Sequence, residues 1–142
     1  MTYTIKDVAK LMDISAHTLR FYDDHGLFPF VHRNKNNVRQ FSDKDLEWVY
    51  VVQCLRATGL PIEKVKHYIE MCMAGEETIE ERYKLMLQQC EVMQDELKKM
   101  EKQIEMLNYK AKYYHNVLFH EQEDLHNPFV FDNPINNTQV NS

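Results

Sequence analysis

The spacing of apolar positions changes several times along the chain, and each change marks an element. Ile5, Val8, Ala9 and Met12 recur at helical spacing. Thr4 stands where an N-cap belongs, with Asp7 three residues on in the place of a capping-box acid. A short helix over Thr4–Met12 is expected. Asp13-Ile14-Ser15 breaks the pattern, Ser15 can cap a second helix from Ala16 to about His25, and Gly26 is suited to end it. Two short helices joined by so brief a turn make a helix-turn-helix. Leu19, and Phe21 or Tyr22, are expected to pack inward.

The pattern then shortens. Phe30-Val31-His32-Arg33 and Val38-Arg39-Gln40-Phe41 flank a polar tip, Asn34-Lys35-Asn36-Asn37, which predicts a hairpin. Beside a helix-turn-helix this hairpin is a wing. Ser42 and Asp45 repeat the capping pattern ahead of a third helix, which carries Leu46, Val49, Tyr50, Val52 and Leu55 and reaches about Thr58. Gly59 ends it. Pro61 opens a fourth helix, which runs to about Met73 and is closed by Gly75.

The longest periodic signal follows. Ile79, Tyr83, Met86, Cys90, Met93, Leu97, Met100, Ile104, Leu107, Ala111, Tyr114 and Leu118 alternate spacings of four and three without a slip, and no Gly or Pro interrupts them. This is a heptad seam. Some 40 residues at the helical rise make roughly 60 Å of helix, more apolar stripe than one small domain can bury. A second copy of the chain is the simplest partner. The expected fold is therefore mainly α: a winged helix-turn-helix over residues 1–75 with a small β-hairpin wing, a long coiled-coil dimerisation helix over 76–118, and an acidic, largely irregular tail over 119–142. In that tail Phe129-Val130-Phe131 is apolar enough to dock.

Composition narrows the function. No long uncharged apolar run is present, and Lys6, Asp7 and Lys10 interrupt the N-terminus, so neither a membrane span nor a leader is expected and a cytoplasmic location is. The three cysteines, Cys54, Cys72 and Cys90, form no CxxC pair and suit reduced thiols. The net charge of −5 argues against a nucleic-acid partner when taken whole. Its distribution argues otherwise. His17–Phe41 holds Arg20, Arg33, Lys35 and Arg39 against Asp23 and Asp24, whereas the stretch after Leu118 holds Glu121, Glu123, Asp124 and Asp132 and no Lys or Arg. No nucleophile–base pair, phosphate loop or ligand cluster is evident, so neither an enzyme nor a cofactor is expected.

Double-stranded DNA is the partner this pattern suits. The N-terminal part of the second helix in such a motif enters the major groove, and it bears Ser15, His17, Thr18, Arg20 and Tyr22. Hydroxyls there can meet phosphates or base edges, and an arginine can donate twice to a guanine edge or grip a phosphate. Arg33, Lys35 and Arg39 on the wing suit backbone phosphates.

The run Ser15-x-x-Thr18-Leu19-Arg20-Phe21-Tyr22-Asp23-x-x-Gly26-Leu27 closely resembles the recognition-helix signature of the MerR family. Pro29, Arg33, Asn36, Arg39, Phe41 and Asp45-Leu46 continue the resemblance, as does Arg56-x-x-Gly59-Leu60-Pro61-Ile62-x-x-Val65. It covers Tyr3 to Leu118. Asn37 departs from a common wing glycine and Asp23 from a common glutamate. The resemblance implies homodimers joined by an antiparallel coiled coil. It implies promoters with an overlong spacer, bent and untwisted in the presence of RNA polymerase. Thr18, Arg20, Tyr22, Arg33 and Arg39 would hold the DNA, with Lys64 and Lys66 as further candidates.

The effector is less defined. Metal-sensing members carry cysteines where this chain has Glu76 to Glu80, and the spacing of His115, His120 and His126 suits no helical face, so no metal is expected. Gln53-Cys54-Leu55-Arg56-x-Thr58-Gly59 and Gly75-x-x-Thr78-x-x-x-Arg82 resemble the aldehyde- and nitrosative-stress regulators of the AdhR/NmlR type, whose single reactive cysteine matches Cys54. A reactive thiolate needs nearby positive charge and access; Arg56, Lys64, Lys66 and His67 are the candidates to supply charge. The same residue also reads as a small packing cysteine, as Cys72 and Cys90 do. A bound small molecule, or an architectural role without an effector, are the alternatives.

Overall fold

The computed structural model describes residues 1–121 and 123; the expectations for His126 and for Phe129-Val130-Phe131 lie outside them. The elements run β1 (Thr2–Tyr3), α1 (Ile5–Met12), α2 (Ala16–Asp24), β2 (His32–Arg33), β3 (Arg39–Ser42), α3 (Asp43–Ala57), α4 (Ile62–Ala74), a 3-10 turn (Glu76–Thr78) and α5 (Ile79–Leu118). Among the described residues no helix is long and apolar enough to cross a membrane.

Capping sets the starts. Thr4 Oγ1 accepts from Asp7 N–H at 3.2 Å, and Asp7 Oδ2 accepts from Thr4 N–H at 2.9 Å. That backbone bond holds the Asp7 carboxyl below the usual carboxylate range. The same reciprocal pair starts α3: Ser42 Oγ accepts from Asp45 N–H at 3.1 Å and Asp45 Oδ2 from Ser42 N–H at 2.8 Å. α1 stops where Asp13 takes the left-handed conformation (φ 52°), which turns the chain into Ser15 and α2.

The wing is shorter than its two apolar arms suggest. Only His32 and Arg33 pair with β3, opposite Gln40 and Arg39. β3 is also the centre of a three-stranded sheet, because Thr2 and Tyr3 pair with Ser42 and Phe41 on its other side. A strand of two residues at the chain start leaves no alternation to read. Tyr3 Oη, donating to Asp43 Oδ1 at 2.8 Å, braces it.

The core gathers one face from each element of the head. Val8, Leu19, Leu27, Phe41, Val49, Val52, Leu60, Val65 and Ile69 are buried together. Phe28 joins them, edge-on to both Tyr22 and Phe41. Gly26 (φ +78°) makes the turn from α2 into this core, and a Cβ there would stand 3.2 Å from the Lys66 stem. Gly26→Ala should lower stability by about 1 kcal/mol or more, a fall of roughly 4–8 °C in Tm for a head of this size, read by thermal melting.

The chain divides into two compact units, Met1–Cys90 and Glu91–Ser142, so the division falls inside α5 and not at Gly75. The first turns of α5 belong to the head. Leu85 packs against its core, and Gln89 is buried with its amide donating to Thr58 O at 2.8 Å. Arg82 ties the same region to the end of α4 through Gly75 O at 2.9 Å and Thr78 Oγ1 at 3.0 Å. Beyond Cys90 the seam residues Met93, Leu97, Met100, Ile104, Leu107, Tyr114 and Leu118 are 46–70% exposed in the single chain, and Ile79 and Tyr83 before it are likewise exposed.

Candidate nucleic-acid interface

α2 presents its N-terminal turns to solvent. Ser15 caps the helix by accepting from Thr18 N–H at 3.0 Å, and the two hydroxyls lie 2.7 Å apart. Both therefore have a local structural role and keep part of their hydrogen-bonding capacity outward. His17 and Arg20 are exposed. Leu19 packs inward at 0% exposure, and of the alternatives Phe21 and Tyr22 it is Tyr22 that does so, at 8% against 41%. The Tyr22 ring lies in the core against Phe28, so of its two expected roles, DNA contact and inward packing, the structure favours the second. Tyr22 supports the recognition helix from behind and does not stand out from it as Arg20 does.

The wing tip is built by asparagines. Asn34 Oδ1 accepts from Asn36 N–H at 2.9 Å and Val38 N–H at 3.0 Å. Asn37 adopts φ 61° without a glycine, as its short polar side chain allows. Arg33 Nη1 donates to Asn37 O at 2.9 Å. Lys35 is exposed at the tip.

Between wing, α2 and the start of α1 lies an open cleft of about 380 Å³, lined by Lys6, Arg20, Arg33, Arg39, Thr4 and Asn37 among others. Four cations therefore converge from three separated segments. The sequence reading missed Lys6, which on an amphipathic helix looks like any solvated lysine. The β1 pairing brings that end of α1 next to the wing.

The wing arginines differ in freedom. Arg39 is ion-paired with Asp23, also reaches Asp24 at 3.6 Å, and its side chain is 19% exposed. Arg33 lies 3.8 Å from the same Asp23 oxygen but is 43% exposed. Arg39, expected to grip DNA, is thus already engaged by carboxylates. Lys64 is exposed on α4 and does not line the cleft, and Lys66 covers Gly26.

Cys54 is exposed on α3. It lines a shallow hollow of about 510 Å³ with Leu11, Met12, Tyr50, Gln53 and Ala57, where α1 ends against α3. Gln53 spans the two helices by donating to Met12 O at 3.1 Å. The cations expected near Cys54 lie elsewhere: none lines the hollow, Arg56 donates to Leu60 O at 2.8 Å, and His67 faces Glu81. Tyr50 shares the hollow, and its phenol is pushed above its ordinary pKa by hydrogen bonding with the Cys54 thiol. The thiol that does meet a guanidinium is Cys72, half-buried, with Arg82 Nη1 at 3.8 Å. Burial, then a bond with Cys72, pushes the Tyr68 phenol up beside it. Gly75 turns α5 back onto α4 and so creates this proximity, which no linear spacing reveals. Among the described residues no group of three metal-ligating side chains comes together.

Comparison with known proteins agrees with this geometry. Residues 3–72 match the profile of the MerR HTH family regulatory protein. An uncharacterized HTH-type transcriptional regulator of Haemophilus influenzae is 40% identical over 114 residues, 80% of this chain and 84% of that protein. The HTH-type transcriptional regulator AdhR of Bacillus subtilis is 36% identical over 78 residues, 55% of this chain and 56% of that protein. Among solved structures, HiNmlR, described as a MerR family regulator lacking the sensor domain and bound to promoter DNA, aligns with a TM-score of 0.71 at 38% identity. That alignment covers 82% of this chain and 93% of that one. These relatives are regulators and not enzymes. The converging cations, the helix-turn-helix with its wing and these matches lead to one assignment: the chain belongs to the MerR family of DNA-binding transcription regulators.

Proposed function

We propose that the protein works as a homodimer that binds promoter DNA through α2 and the wing. We further propose that it answers electrophile, aldehyde or nitrosative stress through Cys54. The observation that carries the second part is the position of that thiol: exposed, in the hollow where α1 meets α3. α1 leads directly through Asp13 into the recognition helix, so anything that enlarges Cys54 presses on the support of the DNA-reading element. AdhR and HiNmlR among the relatives add weight.

The chemistry is an addition. The sulfur bonds to an aldehyde carbonyl carbon, the thiol proton moves to the carbonyl oxygen, and a hemithioacetal forms with nothing expelled. No cation lines the hollow, so the reading rests on the access an electrophile has to Cys54.

Dimerisation is supported by the exposed apolar seam of α5, which needs a second copy to leave water. Two copies would place two recognition helices on one face of a duplex. Bending and untwisting an overlong spacer for RNA polymerase is then the means of activation. A cytoplasmic site of action fits a DNA-bound regulator. A small ligand in the same hollow is the second reading, favoured by its largely apolar lining.

The test is a promoter-reporter assay on Cys54→Ala with formaldehyde, methylglyoxal and a nitric-oxide donor. Cys54→Ala should abolish the response while DNA affinity stays within about twofold, since the thiol is an exposed surface group. A response of unchanged size removes Cys54 from the mechanism.

A further inference from the structure

Arg33 and Arg39 stand directly opposite each other in the β2–β3 register. Like charges in that position repel across the strands. One carboxylate answers both. Asp23 Oδ2, in the last turn of α2, is ion-paired with Arg39 and stands 3.8 Å from Arg33 Nη2. Exposed ion pairs contribute little, but the Asp23 and Arg39 side chains are only 16% and 19% exposed. Asp24 holds the other end of the Arg39 fork at 3.6 Å. Arg33 remains 43% exposed on the cleft that Lys6 and Arg20 also line.

We propose that Asp23 is a positioning residue for DNA recognition: it withdraws Arg39 from phosphate contact, makes it a brace between wing and recognition helix, and leaves Arg33 in register with Arg20 and Lys6. The proposal rests on the reading that α2 and the wing contact DNA. Its consequence runs against the simple charge rule. Neutralising Asp23 removes a negative charge from a DNA-binding face, yet operator recognition becomes worse. Arg39 then pairs indiscriminately with phosphates, and the wing no longer has a fixed place relative to α2.

The experiment measures Kd against salt for two duplexes of equal length: one recovered from a random-sequence pool by the wild-type protein, the other scrambled. Asp23→Asn should strengthen binding to the scrambled duplex and steepen its log–log salt slope by about 0.9, the value of one added phosphate contact. The ratio of specific to scrambled affinity should fall about tenfold, the scale of one well-placed base contact. Asp23→Glu, which keeps the charge, should stay near wild type. Arg39→Gln is the second probe: its slope should match wild type, because Arg39 was never on a phosphate, while the ratio falls. Arg20→Ala tests the underlying interface separately and should weaken specific binding by about tenfold or more.

An Arg39→Gln slope shallower by about one would mean that Arg39 itself grips DNA, which overturns the proposal. So would a folded Asp23→Asn protein with unchanged slope and ratio. If Arg20→Ala changes nothing, the interface reading falls first and the proposal with it.

Discussion

Leu97→Glu combined with Ile104→Glu should leave the protein monomeric and lower its affinity for operator DNA by at least about a hundredfold. Both residues lie on the α5 seam and are 56% and 50% exposed in the single chain. Burying such a side chain is worth about 1.5–3 kcal/mol, and in a dimer each chain loses two of them. Each is already about half covered in the single chain, so the lost burial of the four side chains comes to about 3–6 kcal/mol, or roughly two to four powers of ten in the dimerisation constant. Carboxylates set against an apolar seam deepen the loss. The effect on DNA binding follows from linkage. Two half-sites held by one dimer gain about 10²–10⁴ over separate binding events, and a monomer forfeits that gain. Sedimentation reports the association state, gel shift the affinity, and circular dichroism shows that α5 stays helical. A double variant that still sediments as a dimer would remove the seam from the account.

Phe41→Ala should have the largest effect on stability. Phe41 is fully buried at the centre of the sheet, paired with Tyr3 across β1–β3 and edge-on to Phe28 at 5.8 Å. Removing such a ring costs about 3–5 kcal/mol, against a total of about 5–15 kcal/mol for a domain. The consequence is local as well as global, because β3 carries Arg39 and runs directly into α3. A urea titration should show a midpoint lowered by about a third or more, and weak operator binding even where helix content persists. A loss below about 1 kcal/mol would mean that the sheet is not the keystone of the head.

How much of this was legible depends on how local each cause is. Both capping boxes, at Thr4–Asp7 and Ser42–Asp45, were readable because donor and acceptor lie three residues apart. So were the left-handed positions at Gly26 and Asn37, where few residue types fit. α5 was readable as one long helix because its periodicity runs over many turns, which outweighs any single ambiguous residue.

What escaped depends on contacts between distant segments. Thr2 and Tyr3 form a strand only because β3 offers an edge. Leu85 and Gln89 fall in a stretch that reads as coiled coil, yet they belong to the head. The charged residues were the hardest to place. Arg39 and Lys6 are both cations on exposed-looking positions, but Asp23 engages the first and the β1 pairing brings the second to the cleft. The charge expected around Cys54 is found instead beside Cys72, since Arg82 reaches it only through the turn at Gly75.

Two copies of this chain should read one duplex through α2 and the wing. The most direct measurement is the stoichiometry and salt dependence of the complex with an operator recovered from a random-sequence pool, by sedimentation of a labelled duplex at rising salt. Two chains per duplex are expected, with affinity falling by orders of magnitude between about 50 and 200 mM salt as phosphate contacts are lost. One chain per duplex, or binding indifferent to salt, would contradict it.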